Sequence, residues 1–303
     1  MKHAYLILAH QNAPLLQHLL GLLDDERNDL FLHIDARQPQ LMQEMRNMQL
    51  QHAHLFLAEH PTKVYWGHLS IVEAEYKLLH LASSHGPYAY YHLLSGSDLP
   101  LKSQDEIHNF FRQHDGCEFV GFWNSTYHQK DLLRKVRYHY FFIPYYKYKG
   151  HPLHLLTAPL KNITLAAQKL LHIHRPQTWE FHKGPQWFSI TQPLAQYVLQ
   201  QETAVMNRYR RVLVPDEIFL QTIVWNSPFR HSLCQPAASD FPDNNAEQSA
   251  MRLVDWQRSQ QKGSPYVWQP SDEAQLRASH CLFARKFDAP WWTPGNEVPA
   301  AKA

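Results

Sequence analysis

The chain has 303 residues, 44% of them hydrophobic and 18% charged. That allows one large domain or two small ones around a sizeable core, and excludes a disordered chain. Lys and Arg number 29 against 27 Asp and Glu, a formal charge of +2, too balanced for a dedicated nucleic-acid binder. Three widely separated cysteines (Cys117, Cys234, Cys281) exclude a disulfide scaffold and a CxxC zinc site and fit a reducing compartment.

Residues 4–9 are an apolar run, too short for a signal peptide, that reads as a first core strand ending at His10. Leucines 15, 16, 19, 20 and 23 recur at helical spacing and predict a helix over about 12–23. Leu30-Phe31-Leu32-His33-Ile34 is a second strand, closed by Asp35. A helix over about 38–48, a strand at 53–57 and a long helix over about 69–83 follow. The strand at 90–94 ends in Ser95-Gly96-Ser97-Asp98. Strands and helices alternate, which predicts a mainly parallel sheet flanked by helices. Ligands in such sheets sit beyond the carboxyl ends of the strands. His10, Asp35 and the segment from Ser95 to Asp98 are polar strand ends of that kind.

Residues 132–179 contain no Asp or Glu. They carry Arg134, Lys135, Arg137, Lys147, Lys149, Lys161, Lys169 and Arg175, interleaved with Tyr138, Tyr140, Phe141, Phe142, Tyr145, Tyr146 and Tyr148. Such an insertion, about 130–179, is either a lobe that touches an anionic membrane or a phosphate-bearing acceptor through residues 134–175, or a helical subdomain that happens to be basic. Beyond it, a strand is expected at 187–190, a helix over about 193–201, a helix opening at Pro215-Asp216-Glu217 and running to about Trp225, and a strand at 251–256. A short helix after Asp272 and an apolar segment at 282–287 precede a proline- and alanine-bearing tail, 289–303. One domain is expected over 1–288. No stretch approaches the roughly 18 apolar residues of a membrane span.

Three features carry chemistry. Glu217 opens a helix between the apolar approach Val212-Leu213-Val214 and the apolar successors Ile218-Phe219-Leu220. A carboxylate at such a cleft edge can act as a general base, and is equally the mark of a capped helix. Arg285-Lys286 is a cationic pair set among apolar residues, suited to phosphate oxygens or to a structural ion pair. The third feature is an absence. Neither a glycine-rich phosphate loop nor any Asp-x-Asp occurs, so side-chain cations would have to neutralise a bound diphosphate. The 22 histidines are scattered without HExxH or paired spacing, so no metal cluster is indicated. Trp66, Trp187, Trp225 and Trp256 are available as stacking platforms.

Five blocks in order resemble the core-2/I-branching enzyme and peptide O-xylosyltransferase family, glycosyltransferase family 14. They are Val64-Tyr65-Trp66-Gly67 with the following helix, Leu94-Ser95-Gly96-Ser97-Asp98, Gly184-Pro185-Gln186-Trp187-Phe188, Val214-Pro215-Asp216-Glu217 and Leu282-Phe283-Ala284-Arg285-Lys286-Phe287-Asp288. The resemblance runs over roughly residues 4–288. It implies a GT-A type fold and inverting transfer from a UDP-sugar without a metal or other cofactor. By motif, Glu217 matches the base, and Arg285 with Lys286 the diphosphate site. His10, Asp35, Trp66 and Asp98 fall on the donor side, and Gln186 and Trp187 near the sugars. The xylosyltransferase branch has an acid where this chain has Gln186, and the branching enzymes are rich in disulfides.

The expected function is therefore transfer of a sugar, N-acetylglucosamine first, from a UDP-sugar to a hydroxyl of a bacterial surface-glycan or lipid-linked glycan acceptor. The setting would be cytoplasmic, peripheral on the inner face of the membrane. The alternatives are a UDP-xylose or UDP-glucose transferase of the same family, or a non-catalytic carbohydrate- or nucleotide-binding protein on the same scaffold. Nucleic acid is not an expected partner.

Overall fold

A computed structural model describes residues 1–147, 152–176, 178–234, 246–260 and 263–295. The first half runs β1 (His3–Ala9), α1 (Ala13–Leu22), β2 (Asn28–Ile34), α2 (Pro39–Arg46), β3 (His54–Leu57), α3 (Ser70–Ser83), β4 (Tyr90–Ser95), β5 (Asp98–Pro100), α4 (Gln104–Gln113) and β6 (Phe119–Val120). The second half adds α5 (Thr126–Arg137), α6 (Ile143–Lys147), α7 (His154–Leu170), β7 (Phe188–Thr191), α8 (Gln192–Gln200) and α9 (Glu202–Tyr209). It closes with α10 (Phe219–Trp225), α11 (Ala246–Ser249), β8 (Arg252–Val254), α12 (Glu273–Ala278) and β9 (Phe283–Arg285).

A six-stranded sheet in the order β3-β2-β1-β4-β7-β6 forms the centre, parallel from β3 to β4, with β7 antiparallel to both of its neighbours. This is the mainly parallel, helix-flanked α/β arrangement expected of a GT-A type fold. Alternation along β1 explains the layering. Tyr5, Ile7 and Ala9 enter one core, with the leucines of α1, while Ala4 and Leu6 enter the other, with α3 and α8. Both faces are covered, so the strand reads as a continuous apolar run rather than an alternating one.

A second sheet, β5-β9-β8, sets Asp98 opposite Arg285 and Val254 beside it. Most expected elements lie within two residues of their observed bounds, and the exceptions have causes. Asn12 is the cap of α1 rather than its first residue, its Oδ1 accepting from Leu15 N at 3.2 Å. Helix α4, absent from the sequence reading, opens on a Ser103/Glu106 capping box.

The helix expected from Pro215 to Trp225 is broken. Pro215–Glu217 is a separate 3-10 turn, entered through Val214 at φ 55°. Val214 N donates to Gly67 O and Gly184 N donates to Glu217 O, each at 2.9 Å, so tertiary bonds fix the turn. The expected tail also begins too early. Trp292 is buried and its Nε1 donates to Pro100 O at 2.8 Å, so the chain packs on the body beyond Asp288. Residues 296–303 lie outside the described residues. Among the described residues, no helix is long and apolar enough to cross a membrane.

Candidate active site

A cavity of about 520 Å³ opens at the carboxyl ends of β1, β2 and β4, and His10, Asp35 and Ser95-Gly96-Ser97 line it. The chain therefore gathers three of its polar strand ends in one place. Trp66, Gln186, Trp187, Glu217, Arg285 and Lys286 line the same cavity. Asp98 does not. It is buried beneath, with Oδ2 accepting from Ser95 N and Oδ1 from Ser95 Oγ, each at 2.8 Å, so the expected contact with a donor sugar gives way to a supporting role.

Asp35 is likewise occupied. Arg37 donates to it through its backbone N (2.9 Å), Nε (2.8 Å) and Nη2 (2.6 Å), and Val64 N donates at 3.0 Å. Burial pushes the Asp35 carboxyl up, but these bonds outweigh burial and hold its pKa below the ordinary value. What Asp35 presents to the cavity is Arg37, whose guanidinium also lies 5.0 Å from the centroid of the Tyr65 ring. Arg37 and Tyr65 line the cavity and escaped the sequence reading; the Asp-x-Arg spacing after β2 was the available signal. Desolvation at the mouth lowers the His10 pKa, with Asp35 opposing and Lys286 and Arg37 adding to it.

Two glycines bring the Trp66, Trp187 and Glu217 blocks together. Gly67 sits at φ 71°, and a Cβ there would meet Val214 Cγ2 at 3.3 Å. Gly184 packs so closely on the next segment that a Cβ would fall 2.0 Å from Gly121 O. Its N–H holds the Glu217 carbonyl, and Gln186 and Trp187 follow at once.

The Glu217 side chain is 27% exposed, and its Oε2 lies 3.2 Å from Lys183 Nζ and 3.6 Å from Lys135 Nζ. Asp131 bridges the same two ammonium groups, its Oδ2 at 2.8 Å from Lys135 and 2.9 Å from Lys183. Lys183 also lies 4.7 Å from the centroid of the Trp123 ring. The apolar cleft edge expected around Glu217 is in fact a cationic cradle. Lys135, assigned by sequence to a basic surface lobe, is buried in it. Sequence reasoning missed Asp131 and Lys183, because they converge on Glu217 only through the packing of α5 on the segment before β7.

Buried carboxylates surround this cradle. Gln186 is committed in part to one of them, its Nε2 donating to Glu75 Oε1 at 2.6 Å. Burial, only partly offset by that bond, raises the Glu75 pKa well above normal. Asp216 is pushed up to about 7 by burial and by neighbouring Glu217. Glu247, on the cavity wall, accepts from Trp256 Nε1 at 2.8 Å and is raised to about 6, chiefly by burial. Trp256 therefore joins the site, whereas Trp225 stacks on His182 at 4.0 Å and does not line the cavity.

On another wall of the cavity, the Arg285 guanidinium lies 3.9 Å from the centroid of Trp187, with Lys286 next to it. The arrangement offers one accessible carboxylate, cations for an anionic ligand and aromatic faces for a ring. Among the described residues, no three His, Cys, Asp or Glu side chains form a group that could hold a metal ion.

A family model described as Core-2/I-Branching enzyme matches residues 3–278. Among curated proteins, this chain is 22% identical over 295 residues to xylosyltransferase oxt of Drosophila melanogaster, covering 89% of this chain and 30% of that protein. It is 21% identical over 307 residues to xylosyltransferase 1 of Homo sapiens, covering 94% and 29%. The apo structure of mouse xyloside xylosyltransferase 1 aligns at a TM-score of 0.34 and 11% identity, over 93% of this chain and 97% of that one. The chain spans about three-tenths of the length of the curated relatives it matches.

Proposed function

This chain belongs to the Core-2/I-Branching enzyme family of glycosyltransferases, and from that premise we propose a metal-independent, inverting transfer of a sugar from a UDP-sugar to an acceptor hydroxyl. The observation that carries the reading is one cavity holding both the lysine-cradled Glu217 and the Arg285-Lys286 pair. Glu217 takes the acceptor proton as the new bond forms at the anomeric carbon. The bond to the diphosphate oxygen breaks with its electron pair, and Arg285 and Lys286 stabilise the charge that UDP acquires. Arg37, Tyr65 and Asp35 frame the uridine, and Trp66 and Trp187 flank the sugars. N-acetylglucosamine is the first donor to test, with xylose and glucose next; the acceptor is a surface or lipid-linked glycan.

The test is UDP release from a panel of UDP-sugars with EDTA present and a mixed acceptor set. Turnover of one donor, lost in Glu217→Gln with UDP binding retained, supports the reading. A strict Mn²⁺ requirement overturns its metal independence, and UDP binding without turnover across the panel favours a non-catalytic binding protein.

A further inference from the structure

Helix α7 packs on the body through Ala158 and Leu165 together with two polar residues, yet it also carries a row of apolar side chains outward. Toward the body it buries Thr157 and Gln168. Gln168 is fastened there, its Oε1 accepting from His139 N at 2.8 Å and its Nε2 donating to His139 O at 2.9 Å. Toward solvent it presents Leu156, Leu160, Ile163 and Leu170, which are 69%, 37%, 63% and 79% exposed. Their spacing of four, three and seven puts them on one stripe, which Leu155 and, past the helix end, Leu171 and Ile173 widen. A helix packed on a globular body in water carries its apolar stripe inward. Single exposed leucines need no explanation, but a continuous outward stripe marks an interaction surface.

The rim of the stripe is cationic. Arg175 N donates to Arg137 O at 2.9 Å, and the rings of Tyr138 and His174 are 5.7 Å apart. The end of α5, with exposed Arg134 and Arg137, therefore lies beside the C-terminal end of α7, where Lys169 is exposed too. No Asp or Glu occurs from 132 to 179, and Asp131 just before it pairs with Arg134 at 2.7 Å, so the net charge of the rim rests on Arg137 and Lys169.

We propose that this face seats the protein on an anionic lipid surface. The leucines enter the boundary between headgroups and acyl chains while the cations meet lipid phosphates. Charge decides against a second copy as occupant, since two such faces would bring their basic rims together. Location adds a function. Helix α7 packs on Tyr140, Ile143, Leu213 and Val214, the last of these three residues before Glu217, and Pro144 of α6 lines the cavity. A protein seated this way holds its cavity close to the lipid surface. Resting on the transferase reading, that deepens the acceptor class to an amphipathic, membrane-borne glycan.

The test is co-sedimentation of the whole chain with vesicles, without any sugar donor. Phosphatidylcholine vesicles are compared with vesicles containing about one-third phosphatidylglycerol. Binding is expected to the anionic vesicles only, to weaken as salt rises, and to drop about fivefold for each neutralisation in Arg137→Gln and Lys169→Gln. The variant Leu156→Ser/Ile163→Ser/Leu170→Ser is expected to lose binding while keeping the wild-type melting temperature and UDP affinity. Absence of binding to anionic vesicles at low salt overturns the proposal. So does self-association, seen by sedimentation velocity, that the triple variant abolishes while vesicle binding survives. Because UDP release is read separately in solution, failure here leaves the transferase reading intact, and the reverse holds.

Discussion

The guanidinium of Arg285 is held between the face of Trp187, 3.9 Å from the ring centroid, and the carboxylate of Asp98, 3.6 Å from Nε. The register of β5 on β9 creates this pairing by setting the two residues opposite each other. Burial lowers the Arg285 pKa while Asp98 and Glu247 raise it, and Nη1 is buried with no hydrogen-bond partner. A cation aimed by a ring and a carboxylate, with donor capacity to spare, is prepared for an anionic ligand. Arg285→Ala is expected to lower kcat/KM by about 10²–10³-fold and to weaken UDP binding. Arg285→Lys keeps the charge but loses the planar fork and the stacking, and should still lose at least about tenfold. Unchanged UDP affinity by calorimetry in both variants would remove the pair from the donor site.

Asp98 bears on folding as well as on binding. It is 1% exposed and offsets a largely desolvated guanidinium. Asp98→Asn keeps the shape but can accept only one of the two Ser95 bonds and leaves Arg285 with one compensating charge fewer, so a loss of about 3 kcal/mol is expected in urea denaturation. Full stability would mean that Trp187 and the cavity solvent suffice to hold the cation.

Glu217 and Lys183 form the other pair to test. Glu217→Gln removes the proton acceptor, with an expected loss of about 10²–10⁴-fold in turnover while UDP affinity changes little. Lys183→Met leaves Asp131 and Glu217 with one ammonium fewer between them, so the carboxylate loses its aim. The expected signature is a fall in kcat of about tenfold with the donor KM unchanged. Lys183→Arg should restore part of that loss. A rise in donor KM alone would assign Lys183 to binding instead.

Which of these pairings could be read in advance follows from how each is made. Strand ends are local, so His10, Asp35 and Ser95 to Ser97 were legible from the apolar runs they terminate. The blocks around Trp66, Trp187, Glu217 and Arg285 were legible as motifs. Their cause was not, because it lies in close backbone approaches at Gly67 and Gly184 that only the folded chain brings together. The lysine cradle was hidden for the same reason, since Asp131 and Lys183 are 52 residues apart. Lys135 misled because its basic neighbours Arg134 and Arg137 face outward while it turns in. The helix expected at Pro215 was a sound local reading overridden by two tertiary hydrogen bonds. Asp98 shows the converse, a residue found by motif that stands behind the site rather than in it.

Glu118 supplies a prediction independent of catalysis. It forms an isolated parallel bridge with Leu233 and is 2% exposed, accepting from Thr191 N at 2.9 Å and from the Thr191 hydroxyl. Burial raises its pKa from 4.5 to about 7, with the Thr191 bonds opposing. Between those two values the native state keeps a proton that the unfolded chain has released, so this carboxyl costs stability progressively as pH rises from about 4.5 to about 7. The full cost, roughly 3 kcal/mol, is present above that window and absent below it. Glu118→Gln preserves shape and hydrogen bonding without ionising. Relative to the wild type it should be near neutral at pH 5 and stabilising by roughly 2–3 kcal/mol at pH 8. Denaturation curves of both proteins at the two pH values give the difference directly, cancelling the buried histidines they share. An equal difference at both pH values would mean that Glu118 does not change protonation on unfolding.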